Sequence, residues 1–168
     1  MKIFHLSDLH IGLKLYNRDL YEDQKYIFEQ ITQRAIEEKP DVIVIAGDIY
    51  DKAVPSAEAI EIFNYFIGIL NENLPETYIM MISGNHDSAI RIDNFRAILK
   101  NQKIYMVGKA PSKVDEYIEK VRLNDEYGPI NFYLLPFVKP SMVKDIVGVN
   151  EIGNNLSYDE SLHRLIER

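Results

Sequence analysis

The chain has 168 residues, carries 19 Lys+Arg against 26 Asp+Glu for a net charge of −7, and contains no cysteine. The acidic balance argues against a broad basic face that grips nucleic acid, although bound divalent ions would reverse the field locally. Without thiolates, a metal site must use oxygen and nitrogen ligands, which favours Mg²⁺, Mn²⁺ or Fe²⁺. The chain opens without a signal-type apolar segment and has no apolar run near the ~20 residues of a membrane span, so we expect a cytoplasmic protein.

Short apolar runs alternate with amphipathic stretches over the first two thirds of the chain. The apolar runs predict strands at residues 2–6, 42–46, 78–82 and 104–107. Apolar residues at three- and four-residue spacing predict helices at 19–38, 56–71 and 92–100. We expect a loop from Gly12 through Asn17 and a helix N-cap at Ser56. This order predicts right-handed βαβ units and therefore an α/β fold with a largely parallel sheet flanked by helices.

The last third follows a different pattern. Two runs, at residues 114–123 and 130–135, predict antiparallel strands joined by a turn at Tyr127-Gly128-Pro129. Two short helices are predicted at 140–147 and 158–167. The length by itself suggests one domain.

Polar side chains follow three of the predicted parallel strands. They belong to the segments Asp8-Leu9-His10, Gly47-Asp48 and Gly84-Asn85-His86-Asp87. The carboxyl ends of parallel strands share one edge of a sheet, so Asp8, His10, Asp48 and Asn85 should lie close together. In extended backbone, Asp8 and His10 would face the same side. This mixed set of oxygen and nitrogen donors suits a pair of divalent ions, which can hold a phosphate and activate water against it.

Each segment taken alone has a plainer interpretation. An Asp-x-His pair is more often a turn or cap residue beside a surface histidine, and Gly-Asp after a strand is a common turn. Gly-Asn-His-Asp after a buried strand is much rarer. The combination of all three, in this order and each at a strand end, is what predicts the metal site.

These segments, with the second extended to Gly47-Asp48-Ile49-Tyr50-Asp51, resemble the first three signatures of the calcineurin-like metallophosphoesterases. The opening residues 2–12 and the segment Tyr133-Leu134-Leu135-Pro136-Phe137 are most similar to the bacterial SbcD nuclease subunits of that family. The resemblance runs over essentially the whole chain and implies the layered α/β fold of the family. It implies that the chain is the N-terminal part of a single metallophosphoesterase domain covering residues 1–168.

The resemblance also implies roles for individual residues. Asp8 and His10 would bind one ion, Asp48 would bridge two ions and Asn85 would bind the second, with Mn²⁺ the expected metal and Mg²⁺ or Fe²⁺ as alternatives. The implied reaction is hydrolysis of DNA phosphodiesters in repair, recombination and replication. In this reaction His86 would protonate or stabilise the leaving oxygen, and Asp87 would orient His86.

The implied partners are DNA, an SbcC-type ATPase subunit and a second copy of the chain. The homodimer would form through helix 56–71 and the helix near 92–100, and the protein would be associated with the nucleoid. Three more histidines complete the site in the family, whereas only His163 follows His86 here, in what reads as an exposed helix. We therefore expect weak metal binding and little or no hydrolysis by these residues alone.

Two other functions remain open from the sequence. The metal signatures do not identify the leaving group, so a hydrolase of small phosphoesters or cyclic nucleotides is one alternative. The other is a non-catalytic dimerising module, because the apolar residues of helix 56–71 spread over more than one face and need a partner besides the sheet.

Overall fold

The computed structural model describes residues 1–94 and 96–168 and divides into two compact units, residues 1–108 and 109–168. The first unit contains every predicted metal ligand. The assignment of the whole chain to one domain stays a prediction.

The strands and helices of the described residues follow the predicted order. The strands are β1 (Ile3–Leu6), β2 (Lys14–Leu15), β3 (Arg18–Asp19), β4 (Val42–Ala46), β5 (Tyr78–Ile82), β6 (Ile104–Val107), β7 (Glu119–Asp125) and β8 (Gly128–Leu134). The helices are α1 (Tyr21–Glu38), α2 (Ala57–Asn73), α3 (Ala89–Asp93), α4 (Arg96–Leu99), α5 (Pro140–Val147) and α6 (Tyr158–Ile166).

The first unit is organised around a parallel sheet with the strand order β1-β4-β5-β6. Ile43 pairs with Phe4 on one side and with Ile79 on the other, and Met81 pairs with Met106. The central strands are almost wholly apolar because residues buried on both faces of a parallel sheet have no polar side to present. The predicted α/β fold with helices flanking a parallel sheet is confirmed.

Helix α1 supplies the partner that the wide apolar surface of α2 requires. The rings of Phe28 on α1 and Phe66 on α2 stack with centroids 4.7 Å apart. The side chains of α2 that are buried in the core include Ile62, Phe63, Phe66, Ile67 and Leu70. The helix begins where predicted, with the Ser56 hydroxyl accepting a hydrogen bond from the Ala59 N–H at 3.3 Å. Most of the apolar surface of α2 is thus covered within the chain.

Two predicted elements of this unit differ from the structure. The expected loop from Gly12 through Asn17 contains a small hairpin of β2 and β3, whose tip residues Tyr16 and Asn17 both take positive φ, as a two-residue hairpin turn demands. The expected helix at 92–100 is instead divided into α3, α4 and a 3₁₀ turn at Lys100–Gln102. The Asp93 carboxylate at the end of α3 accepts a hydrogen bond from the Gly108 N–H at 3.2 Å, which ties that end to the strand terminus. Phe95, inside the predicted helix, lies outside the described residues.

The second unit is a β-hairpin with two helices. Strands β7 and β8 are antiparallel, as predicted, with Asp125 paired to Gly128 across the turn. The first strand begins at Glu119 and not at 114, because the Glu116 carboxylate accepts hydrogen bonds from the N–H groups of Ser112 and Lys113 and closes a turn there. The core of the unit includes Val138, Val143, Val147, Leu156 and Leu165. Within residues 1–94 and 96–168, none of the helices is long and apolar enough to cross a membrane.

Candidate metal centre

The loops that follow β1 and β4 run side by side beyond the ends of their strands. The N–H of Asp8 donates to the carbonyl of Gly47 at 3.1 Å, and the N–H of His10 donates to the carbonyl of Asp48 at 3.0 Å. The N–H of Ile11 continues the series with the carbonyl of Ile49 at 2.9 Å. Backbone pairing therefore carries Asp8, His10 and Asp48 to one edge of the sheet.

The loop after β5 joins them because Gly84 has no side chain. A Cβ at residue 84 would lie 2.0 Å from Oδ1 of Asp48 and 2.3 Å from its backbone nitrogen. No other residue type leaves room for the Asp48 carboxylate in this position. The N–H of His86 then donates to the same Oδ1 atom at 2.9 Å. Asp48, with 7% of its surface exposed, is thus held from two loops.

Asp87 connects the same two loops through their backbones. Its carboxylate oxygens accept hydrogen bonds from the N–H groups of Ile49 at 3.0 Å, Tyr50 at 2.9 Å and Gly84 at 2.8 Å. The sequence predicts that Asp87 orients the His86 ring, but the orienting contact in the structure comes from elsewhere. Nδ1 of His86 lies 2.9 Å from the backbone carbonyl of Asp51.

His10, Asp48 and His86 form the centre of the candidate site. Each offers a ligand atom within 4.8 Å of the others. Nε2 of His10 is 3.8 Å from Oδ2 of Asp48, and the rings of His10 and His86 meet edge to face with centroids 4.8 Å apart. Asp8 and Asn85 stand on the same loops and are exposed, so their role as ligands stays a prediction.

These residues fit a divalent cation by two observations. A carboxylate and two imidazoles are donors that Mn²⁺ and Fe²⁺ accept. In addition, Nδ1 of His10 is buried and has no hydrogen-bond partner among the described residues, a state that is normally explained by a missing ligand or solvent group. The group of donors is therefore one that could hold a divalent ion.

The backbone of the site is not extended, contrary to the prediction for Asp8 and His10. Their φ angles are 54° and 43°, and that of Asp48 is 48°, all in the left-handed region that non-glycine residues seldom adopt. The pairing with the neighbouring loop holds them there. Residues with strained backbone conformations of this kind cluster at active sites and ligand-binding sites.

The electrostatics of the site favour the protonated form of the His86 imidazole. The hydrogen bond to the Asp51 carbonyl, followed by the nearby carboxylates of Asp48, Asp51 and Asp87, raises the pKa of the imidazole above its ordinary value. Asp51 also lies 3.5 Å, through Oδ1, from Nδ1 of His10. The sequence patterns predicted no role for Asp51. The sequence feature that could have indicated a role for Asp51 is its position three residues after Asp48, at the end of the same polar segment.

The later histidine takes no part in this group. His163 lies exposed on α6, with Nε2 3.7 Å from the Asp159 carboxylate one helical turn earlier. This confirms the prediction that His163 is an exposed helical residue.

Comparison with known proteins identifies the family of the chain. Residues 1–164 match the sequence profile of the family described as calcineurin-like phosphoesterase. The chain is 36% identical over 168 residues, its full length, to the SbcD component of the SbcCD nuclease from Staphylococcus epidermidis (strain ATCC 12228 / FDA PCI 1200). The chain spans 42% of the length of that relative.

Proposed function

Because this chain belongs to the calcineurin-like phosphoesterase family, we propose that it contributes to a metal-dependent DNA nuclease that hydrolyses phosphodiester bonds. The observation that carries the proposal is the convergence of His10, Asp48 and His86 within 4.8 Å on three separate loops. Support for a nucleic-acid substrate comes from the similarity to a protein named as part of a nuclease, and DNA is the substrate that we propose.

The proposed ligands are Asp8, His10, Asp48 and Asn85, and the proposed cofactor is a pair of divalent ions, Mn²⁺ above all. When bound, such ions polarise a phosphoryl oxygen and lower the pKa of water. Asp48 is the central ligand because its backbone and carboxylate are fixed by both neighbouring loops. The exposed Asp8 and Asn85 have side chains free to turn toward an ion.

His86 is proposed to hold a proton near the leaving oxygen. Its Nδ1–H donates to the Asp51 carbonyl, which leaves Nε2 as the ring nitrogen available to substrate. The proposed role of Asp87 is indirect. By accepting three backbone N–H groups, it fixes the loop on which His86 stands.

The proposed biological setting is DNA repair and recombination in the cytoplasm at the nucleoid, with an SbcC-type ATPase as partner. The net charge of −7 supports the need for such a partner, since the chain lacks the excess of basic residues that would neutralise a duplex by itself.

A homodimer is proposed through the exposed apolar residues that remain near α2, α3 and α4. These residues are Ile60 at 40% exposure, Ile90 at 63% and Ile98 at 66%. Phe66, on the same helix, is 1% exposed in the core and is not part of this surface. Sedimentation should show a dimer that Ile98→Asp converts to a monomer, and a wild-type chain that sediments as a monomer would contradict the dimer.

Hydrolysis assays with Mn²⁺ test the nuclease assignment. A blunt DNA duplex and bis(p-nitrophenyl) phosphate are incubated with the chain, alone and with an SbcC-type ATPase, using Asp48→Asn as the matched variant and a chelator as the metal-free control. We expect slow cleavage of the duplex that requires Mn²⁺ and disappears in Asp48→Asn. Cleavage of the small diester with the duplex left intact would favour a small-phosphoester hydrolase over the nuclease.

A further inference from the structure

The outward face of the β7–β8 hairpin is basic and polar in a chain whose net charge is −7. Side chains along a strand alternate between the two faces of a sheet, so the exposed residues of this hairpin share one face. They are Lys120, Arg122 and Asn124 on β7 and Pro129, Asn131 and Tyr133 on β8. The acidic side chains of β7, Glu119 and Asp125, belong to the opposite face. Of the strand residues on the outward face, two are therefore cationic and none is acidic.

The two cations of this face are not neutralised within the chain. Among the residues that the structure describes, neither Lys120 nor Arg122 forms an ion pair with a carboxylate. Nζ of Lys120 lies 5.4 Å from the centroid of the Tyr133 ring, directly across the strand pair. Arg122 is opposite Asn131. Both positive charges are therefore available to an anion that approaches this face.

A groove of about 740 Å³ in the same unit is lined by Lys120, Tyr133 and Tyr117. Its other walls are mainly apolar and include Ile118, Leu135 and Leu165. The Arg168 guanidinium lies 5.4 Å from the centroid of the Tyr117 ring, so each of these tyrosines has a cation beside its ring. The Glu116 carboxylate, also on the wall, is engaged by two backbone N–H groups of the preceding turn.

Exposed aromatic rings beside cations are the features of surfaces that bind single-stranded nucleic acid. The cations neutralise phosphates, and the bases stack on the rings. The Tyr133 and Tyr117 side chains are 61% and 68% exposed, so their rings are accessible to a base. A duplex hides the faces of its bases and would use only the cations. The combination of charge and exposed rings therefore favours a single strand.

We propose that single-stranded DNA binds along the outward face of the β7–β8 hairpin, with phosphates at Lys120 and Arg122 and a base stacked on Tyr133 in the groove. The choice of DNA rests on the proposed function. The face itself contains none of the proposed metal ligands, so its affinity for a DNA strand can be measured without a metal ion.

The first experiment measures the fluorescence anisotropy of labelled oligo-dT titrated with the 168-residue chain in the presence of a chelator. We expect binding that Tyr133→Ala weakens by roughly 10-fold, because the stacking of one base is lost. Tyr133→Phe, which keeps the ring, should bind like the wild type. Tyr158→Ala, at an exposed tyrosine of α6, is the matched control and should also bind like the wild type. Unchanged affinity in folded Tyr133→Ala would overturn the stacking role.

The salt dependence of binding tests the phosphate contacts. Arg122→Ala should reduce the slope of log affinity against log salt concentration by about 0.7, the contribution of one phosphate contact on a single strand. Tyr133→Ala should leave the slope unchanged, and so should the control Lys144→Ala, at an exposed lysine of α5. A wild-type slope in Arg122→Ala would overturn the phosphate contact. Backbone amide spectra establish that each variant is folded, and Arg122→Gln provides the test if Arg122→Ala is not.

A dT·dA duplex of the same length tests the choice of a single strand. We expect the wild-type chain to bind it roughly 10-fold more weakly than oligo-dT, because no base face is open to Tyr133. Equal affinity for the two would overturn the single-strand preference, and a wild-type chain that binds no oligo-dT would overturn the whole proposal.

Hydrolysis assays with Mn²⁺ separate this proposal from the proposed function. A chain that binds oligo-dT through this face but cleaves no DNA would contradict the nuclease assignment and leave the binding surface intact. A chain that cleaves DNA, and binds oligo-dT equally well after the Tyr133→Ala and Arg122→Ala substitutions, would overturn the binding surface and leave the nuclease assignment intact.

Discussion

The strand-end loops and the α1–α2 interface lie in the same compact unit but are stabilised in opposite ways. The loops depend on backbone hydrogen bonds, a carboxylate clamp at Asp87 and positive φ angles at Asp8, His10 and Asp48. The helices depend on apolar contact, as in the stacking of Phe28 on Phe66. The difference indicates that stability and metal binding can be changed separately in this unit. Substitutions in the helices should change the free energy of unfolding, whereas substitutions in the loops should change Mn²⁺ affinity, alone or together with stability.

Gly84→Ala should have the largest effect, because the new Cβ would lie 2.0 Å from Oδ1 of Asp48 and the clash involves backbone as well as side chain. We expect loss of Mn²⁺ binding and destabilisation beyond the ~4 kcal/mol that marks exceptional substitutions. Chemical denaturation and Mn²⁺ titration measure the two effects.

The control for Gly84→Ala is a glycine with free space around it. A Cβ at Gly68, in α2, would have no atom within 4 Å apart from its chain neighbours and the adjacent backbone of its own helix. Gly68→Ala should therefore stabilise the chain by about 0.5–1 kcal/mol, since alanine is the better helix former. Equal behaviour of the two variants would show that Gly84 is not a steric requirement of the site.

Phe66→Ala should have the next largest effect and should touch stability alone. Phe66 is 1% exposed, and removing a buried ring of this kind costs about 3–5 kcal/mol. Denaturation should show that loss, while the folded fraction should keep wild-type affinity for Mn²⁺. Tyr65→Ala, at a residue 43% exposed on the same helix, is the control and should cost much less. Reduced Mn²⁺ affinity in folded Phe66→Ala would contradict the view that the helix interface affects stability alone.

Asp87→Ala should reduce both stability and Mn²⁺ affinity, and it should cost less stability than Gly84→Ala or Phe66→Ala. Three backbone N–H groups would lose a charged acceptor, and each such bond contributes about 1.5–3 kcal/mol, so we expect a loss of at least ~2 kcal/mol after partial rehydration. Mn²⁺ affinity should fall as well because both loops are released. Asp115→Ala, at an exposed aspartate, is the control. Wild-type stability in Asp87→Ala would mean that the clamp is not needed to hold the loops.

Ser56→Ala should have the smallest effect, since it removes the N-cap hydrogen bond from the Ala59 N–H and a contact with the exposed Glu58 carboxylate. The expected cost is about 1 kcal/mol, with no change in Mn²⁺ affinity. Thermal unfolding measures it, and Ser56→Asp, which keeps a capping oxygen, should restore most of the loss. A loss in Ser56→Asp as large as in Ser56→Ala would show that capping is not the cause.

The sequence predicted the sheet and the convergence of its loops well because both follow from local patterns. The bounds of β4 and β5 agree with the continuous apolar runs, and α2 begins at the predicted cap. Segments without such a pattern were predicted poorly. The β2–β3 hairpin depends on two positive-φ residues that are not glycine, and the division of α3 from α4 accompanies a contact between Asp93 and the distant Gly108.

The sequence indicates which residues follow the strand ends, but it does not indicate the contacts that their side chains make. Periodicity places Asp48 and His86 at one edge of a sheet, yet it cannot show that the His86 ring meets the carbonyl of Asp51. The same limit applies to Asp87. Its carboxylate is expected to contact the His86 ring, but it accepts hydrogen bonds from backbone N–H groups. Contacts between backbone and side chain across 35 or more residues carry no periodic signal.

The most direct test of the account is the pattern of NMR line broadening caused by a small amount of Mn²⁺ in the ¹⁵N-labelled chain. If three loops share one ion, amide signals of residues 8–12, 47–51 and 84–87 should broaden together, and those of the α1–α2 interface should broaden much less. Broadening confined to one acidic stretch, such as Glu37 and Glu38 on α1, would contradict a shared metal centre.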